Sequence, residues 1–163
     1  YDKMYDDWKA TMAKLVQAYG AFLTEAEKQA TGKVIPKKHA TALTDAREAY
    51  LFVKEGRGEH NVEYAVKLVQ AGTARVDALL QALDPKAKPI ARDDLIGQRD
   101  AYCFPLCHQR LAFKAEVTLE GKKLSHQLHV DSGAGCGTCH SVSKHKALAV
   151  DRAACKACHP QNP

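Results

Sequence analysis

Three long stretches of the chain place apolar side chains at helical intervals, and a later one alternates them. From residue 3 to 31, Met4, Trp8, Met12, Leu15, Tyr19, Phe22, Leu23 and Ala26 recur every few positions, which predicts an amphipathic helix closed by Thr31-Gly32. A second helix is expected from after Pro36 to about Lys54, with Leu43, Ala46, Tyr50 and Val53 inward and Gly56-Arg57-Gly58 at its end. A third spans about 61 to 83 through Val62, Ala65, Val66, Val69, Val76, Leu80 and Leu83, with Pro85 and Pro89 marking the exit. Each helix has one apolar stripe and the connections are short, so the expected arrangement is an antiparallel bundle. A short helix around Asp93 to Arg99 follows.

From Leu111 the period changes. Leu111, Phe113, Ala115, Val117 and Leu119 alternate with polar neighbours, and Glu120-Gly121 makes a turn before Lys122 to Leu124. This reads as a short β-hairpin. The predicted fold class is therefore mainly α: a helical bundle over residues 1–99, then a loop-rich segment over 100–163 containing the hairpin. The later segment has little apolar sequence of its own, and a piece this short cannot bury enough surface to fold unaided.

The chemistry sits in that segment. All 6 cysteines fall in three pairs, each followed at once by a histidine: Cys103-Phe-Pro-Leu-Cys107-His108, Cys136-Gly-Thr-Cys139-His140 and Cys155-Lys-Ala-Cys158-His159. The second and third have the form Cys-x-x-Cys-His, the attachment pattern of c-type haem. Two thioethers hold one edge of the porphyrin while the adjacent imidazole reaches the iron from one face. The rival is a zinc ribbon, because the fifteen residues between Cys139 and Cys155 also suit four thiolates on one zinc ion. A four-thiolate site has no use for a histidine after each pair, and haem is the favoured reading.

The first motif departs from the pattern. Three residues separate Cys103 from Cys107, and Pro105 is among them. The extra residue disturbs the register in which the cysteines of the other motifs share a helix face, so the spacer is expected to bulge. A disulfide or a pair of reduced thiols is the alternative use of these two sulfurs. Three haems c are expected in all, with His108, His140 and His159 as proximal ligands, and they would serve as the missing core.

On these motifs, together with Leu124-Ser125-His126-Gln127-Leu128-His129 and His145, residues 100 to 163 resemble the multihaem cytochromes c of anaerobic bacteria, in particular the small bis-histidine trihaem and tetrahaem electron carriers. In that family a His-x-x-His pair precedes a haem motif and supplies distal ligands to two different haems. The resemblance implies that His126 serves the haem of Cys136 and Cys139 and that His129 serves another. A second likeness is His60-Asn61-Val62-Glu63-Tyr64, similar to the His-Asn-x-x-Tyr helix start of pentahaem and octahaem cytochrome reductases. It implies a distal role for His60, where the helix dipole favours a neutral imidazole. His126, His129, His60 and His145 are thus four candidates for three positions. One is idle, or it reaches a haem in a neighbouring subunit of a homo-oligomer or filament. His39 reads as an exposed histidine, and Met4 and Met12 as core rather than ligands.

Bis-histidine ligation leaves no coordination site for substrate and implies low potentials, so the expected function is electron transfer with redox partner proteins rather than catalysis. The alternative enzyme is a multihaem reductase in which one haem, that of Cys103 and Cys107, lacks a distal histidine and acts on a small nitrogen or sulfur oxyanion. The net charge of +5 over 163 residues would otherwise suggest nucleic acid. Haem propionates would largely cancel it, and the lysines are scattered, so no nucleic-acid partner is expected. No apolar run approaches a membrane span. Covalent haem implies assembly outside the cytoplasm, and a chain starting at Tyr1 is expected to have lost a leader, which places it in the periplasm or outside the cell.

Overall fold

The computed structural model describes residues 2–97, 103, 108, 113–140, 150 and 152–160. The chain forms two compact units, Tyr1–Tyr102 and Cys103–Pro163. The fold is mainly α with one short antiparallel hairpin.

The first unit is built on α1 (Asp2–Ala30), α2 (Ala42–Glu55) and α3 (Val62–Leu83), which pack on one another, and a short α4 (Asp94–Gly97) lies against α3 and α1. Contacts between the helices fix their directions. A Cβ on Gly58 would meet Met12 of α1, Val53 of α2 and Ala65 of α3 within 3.3 Å, while further along Tyr19 of α1 approaches Gly72 of α3 and Ala46 of α2. Residue numbers rise together on α1 and α3 and fall on α2, so the bundle runs up, down, up.

The core follows the helical stripes with two shifts. On α1, Met12, Leu15, Tyr19, Phe22, Leu23, Ala26 and Ala30 are buried, but Met4 and Trp8 are only half-buried. On α2 the buried seam is Ala42, Ala46, Ala49 and Val53, one position round from the expected Leu43 and Tyr50. Small side chains let α2 approach both neighbours, and Tyr50 is left to lie over Gly20. The helix also starts later than Pro36 suggests. Proline opens a 3-10 turn at Lys37–His39 instead, and α2 begins only after Thr41. His39, expected to be exposed, is half-buried, with Nε2 enclosed and without a hydrogen-bond partner.

Ion pairs tie successive elements across the surface: Arg47 to Glu27 at 2.5 Å, Arg75 to Asp45 at 2.8 Å, and Arg92 to Asp77 at 2.6 Å. Exposed pairs of this kind contribute about 0–1 kcal/mol each. They fix register more than stability, which rests on the apolar seam.

In the second unit β1 (Glu116–Leu119) pairs with β2 (Lys122–Ser125), Val117 opposite Leu124 and Leu119 opposite Lys122. Glu120 and Gly121 both have positive φ, 50° and 79°, as a two-residue turn matched to strand twist requires. The strand is shorter than the alternation suggests: Phe113 to Ala115 lie outside it, and residues 111–112 lie outside the described residues. Directly after β2 come α5 (His126–Asp131), α6 (Cys136–Cys139) and α7 (Arg152–Cys158). No described residue of this unit is buried.

Tyr19 offers a test of the first unit's packing. Its hydroxyl is buried without a partner, and a Cβ on Gly72 would overlap it. Gly72→Ala should cost about 1–3 kcal/mol in chemical denaturation, and Tyr19→Phe, harmless alone, should relieve part of that loss. Burial also disfavours the tyrosinate and raises the Tyr19 phenol well above its ordinary value. The unfolded chain therefore releases this proton first, so stability should fall as pH rises past about 10, less steeply in Tyr19→Phe.

Candidate functional site

Backbone hydrogen bonding shapes the histidine-bearing segment. The Gln127 N–H donates to the Ala115 carbonyl at 2.9 Å, which pins the first turn of α5 to the chain entering β1. At the other end the Gly133 N–H donates to Val130 and the Ala134 N–H to His129, both at 2.9 Å, with Gly133 at φ 88°. These two bonds are a Schellman cap, and glycine supplies the left-handed residue it needs. The chain then turns at once into Cys136.

His126 and His129 are three residues apart on α5 and therefore share a face. Each imidazole is anchored through Nδ1. His126 Nδ1 lies 2.9 Å from the Lys114 carbonyl, and His129 Nδ1 lies 2.7 Å from the Ser125 carbonyl. A carbonyl can only accept, so each Nδ1 carries a proton, and in the neutral imidazole Nε2 then keeps its lone pair. This is the arrangement by which ligating histidines are oriented.

Opposite them stand the histidines of the two regular motifs. The His126 and His140 rings have centroids 6.2 Å apart with planes at 79°, and His129 and His159 have centroids 6.1 Å apart at 59°. Two imidazoles binding one metal ion from opposite sides, with metal–nitrogen bonds of about 2.0 Å, would have centroids about 6.3 Å apart. Phe113 stacks on the outer partner, its ring 4.6 Å from that of His126 at 19°.

All three motifs share one backbone feature. The His140 N–H donates to the Cys136 carbonyl at 2.9 Å and the His159 N–H to Cys155 at 2.7 Å, the closure of an ordinary helical turn. The His108 N–H donates to the Cys103 carbonyl at 2.9 Å. That bond reaches five residues back, where those of the other two motifs reach four. His140 also pairs with Val150 as an isolated antiparallel bridge. Cys107 and His145, with the Phe104–Leu106 spacer, lie outside the described residues.

Among the described residues, Cys136, Cys139, Cys155 and Cys158 form no disulfide with one another. Burial first, then Cys155 and Cys158, raises the Cys139 thiol above its ordinary range, so the two regular pairs lie near each other. Among the described residues, which include all four thiols of the zinc-ribbon alternative, no three histidine, cysteine or acidic side chains gather as a metal site. A bare zinc ion wants four protein donors. Two facing imidazoles beside a pair of thiols fit instead a group that brings its own equatorial donors, as a porphyrin does.

His60 lies in the first unit, exposed, at the end of a 3-10 turn Gly58–His60 and 6.4 Å from the Tyr5 ring. Its neighbours have a local explanation: Asn61 caps α3 by accepting from the Tyr64 N–H at 3.1 Å. Met12 is core. Comparison with family models, curated proteins and solved structures returns no match for this chain. Sequence reasoning missed α5 itself and the contribution of Phe113. The His-x-x-His spacing followed by Gly133 was the available signal for the helix, whereas nothing in the pattern marks Phe113.

Proposed function

We propose that this chain is an electron-transfer protein carrying three covalently bound haems c, at least two of them held between paired histidines. The reading rests on the facing pairs His126 with His140 and His129 with His159, each beside a Cys-x-x-Cys. It is supported by the second unit's want of a core: Leu128 is 62% exposed, and no described residue there is buried. Porphyrin faces would cover such side chains.

Haem supplies a one-electron couple when bound. Cys136, Cys139, Cys155 and Cys158 tether two of the groups, and Cys103, Cys107 and His108 the third. His126 with His140 and His129 with His159 would hold two of these groups, which would leave those sites closed to substrate and favours relay over reduction of an oxyanion. Histidine rather than methionine ligation keeps the potentials low. His126 and His129, with Cβ atoms about 5–6 Å apart on one helical turn, hold two of these sites close together, as electron tunnelling requires. His60 belongs to the first unit, and His145 lies outside the described residues. The partners are redox proteins, and the compartment is the periplasm or the cell exterior. No helix among the described residues is long and apolar enough to cross a membrane.

A pyridine haemochrome assay should count three haems per chain, and an intact mass should be higher by three haems. The spectrum should stay low-spin in both redox states without carbon monoxide uptake. A pale protein binding Zn2+ would sink the proposal, and carbon monoxide uptake by one haem would favour the open-site reductase. In His129→Ala, or separately in His126→Ala, carbon monoxide binding should rise from none to one per chain. No change in either variant would remove that histidine from ligation.

A further inference from the structure

Resting on the haem reading above, we propose that Phe113 is a positioning residue that sets the plane of the His126 imidazole. The two distal histidines are alike in having Nδ1 bonded to a carbonyl, but they differ in everything else that holds the ring. His129 is bonded to Ser125, four residues back and leading into the same helix. Among the described residues its ring contact is with His159 alone. His126 is bonded to Lys114, twelve residues back, and Phe113 lies flat against it.

A hydrogen bond at Nδ1 fixes one point of an imidazole and still allows the ring to pivot about that bond. A stacked aromatic removes the pivot, because its plane must stay nearly parallel for the contact to persist. The carbonyl of Lys114 and the ring of Phe113 come from adjacent residues, so one short piece of chain supplies both constraints. That piece is itself pinned to α5 by the Gln127 bond to Ala115. The His126 plane is thereby locked at 79° to that of His140.

The angle between two axial imidazoles governs the magnetic anisotropy of a low-spin ferric iron between them, and their environment tunes its potential. A phenyl ring on one imidazole face also keeps water from that side. Water favours the ferric state, which carries one more positive charge than the ferrous state, so the ring should raise the potential of this one site.

The test uses the full haem-loaded chain and compares it with Phe113→Leu and Phe113→Tyr by electron paramagnetic resonance and potentiometric titration. Phe113→Leu keeps bulk and loses the stack. It should displace one low-spin signal of the three and lower one midpoint potential, leaving the other two in place. Phe113→Tyr keeps the ring and should restore both. Unchanged signals in a three-haem Phe113→Leu protein would overturn the role, as would equal shifts in both variants. In the reduced, diamagnetic parent, the ring protons of Phe113 and His126 should give a mutual nuclear Overhauser effect. Its absence would overturn the proposal even if Phe113→Leu failed to load haem. A haem count of zero in the parent would instead bring down the underlying reading.

Discussion

Among its described residues the second unit is held by hydrogen bonds and buries no side chain, and its organisation depends on that constraint. Its hairpin, its Schellman cap and its three cysteine-to-histidine turns are each closed by backbone groups. Its side chains, by contrast, bury nothing among the described residues, and Phe113, Leu128 and Val130 are all at least 40% exposed. Local bonding can preserve the shape of a turn, but without apolar burial it cannot offset the entropy of ordering the whole segment. The first unit meets the same cost conventionally, with alanine and valine seams between three helices. The described residues of the two units thus differ in what orders them, and the proposed haems would supply apolar surface to the second.

The imidazole hydrogen bonds bear on the proposed haem sites. With Nδ1 bonded to a carbonyl, a neutral His126 or His129 would have Nε2 left for a ligand, and the two rings lie 6.2 and 6.1 Å, centroid to centroid, from those of His140 and His159. Paired imidazoles would suit a planar macrocycle better than a bare zinc ion, which wants four protein donors. The backbone of the motifs is alike in one respect. Cys103 to His108 has one more residue than the others, yet the histidine amide still reaches the first cysteine's carbonyl.

Much of this was readable in advance, and the failures have identifiable causes. The stripe on α1 is long and its buried members are large, so period and burial agree from Met12 to Ala26. On α2 the largest apolar residues, Leu43 and Tyr50, misled: close helix packing selects small side chains, and alanine carries little weight in a hydrophobic pattern. The six residues of α5 are too few to display a period, so the helix was hidden although its two histidines were conspicuous. The His-Asn-x-x-Tyr start of α3 proved to contain an ordinary cap, which accounts for Asn61 without reference to His60.

The sequence alone determined the helical class and the hairpin, because each is encoded within a few residues by period or turn preference; the proposed haem attachment likewise comes from the covalent spacing of the cysteine motifs. Only the tertiary structure decided which imidazole faces which, which nitrogen of each ring is held, and that Phe113 lies on His126. Apart from the bond of His129 to Ser125, those relations join residues ten or more apart through hydrogen bonds and ring contacts, and no local pattern along the chain records the direction in which a side chain turns.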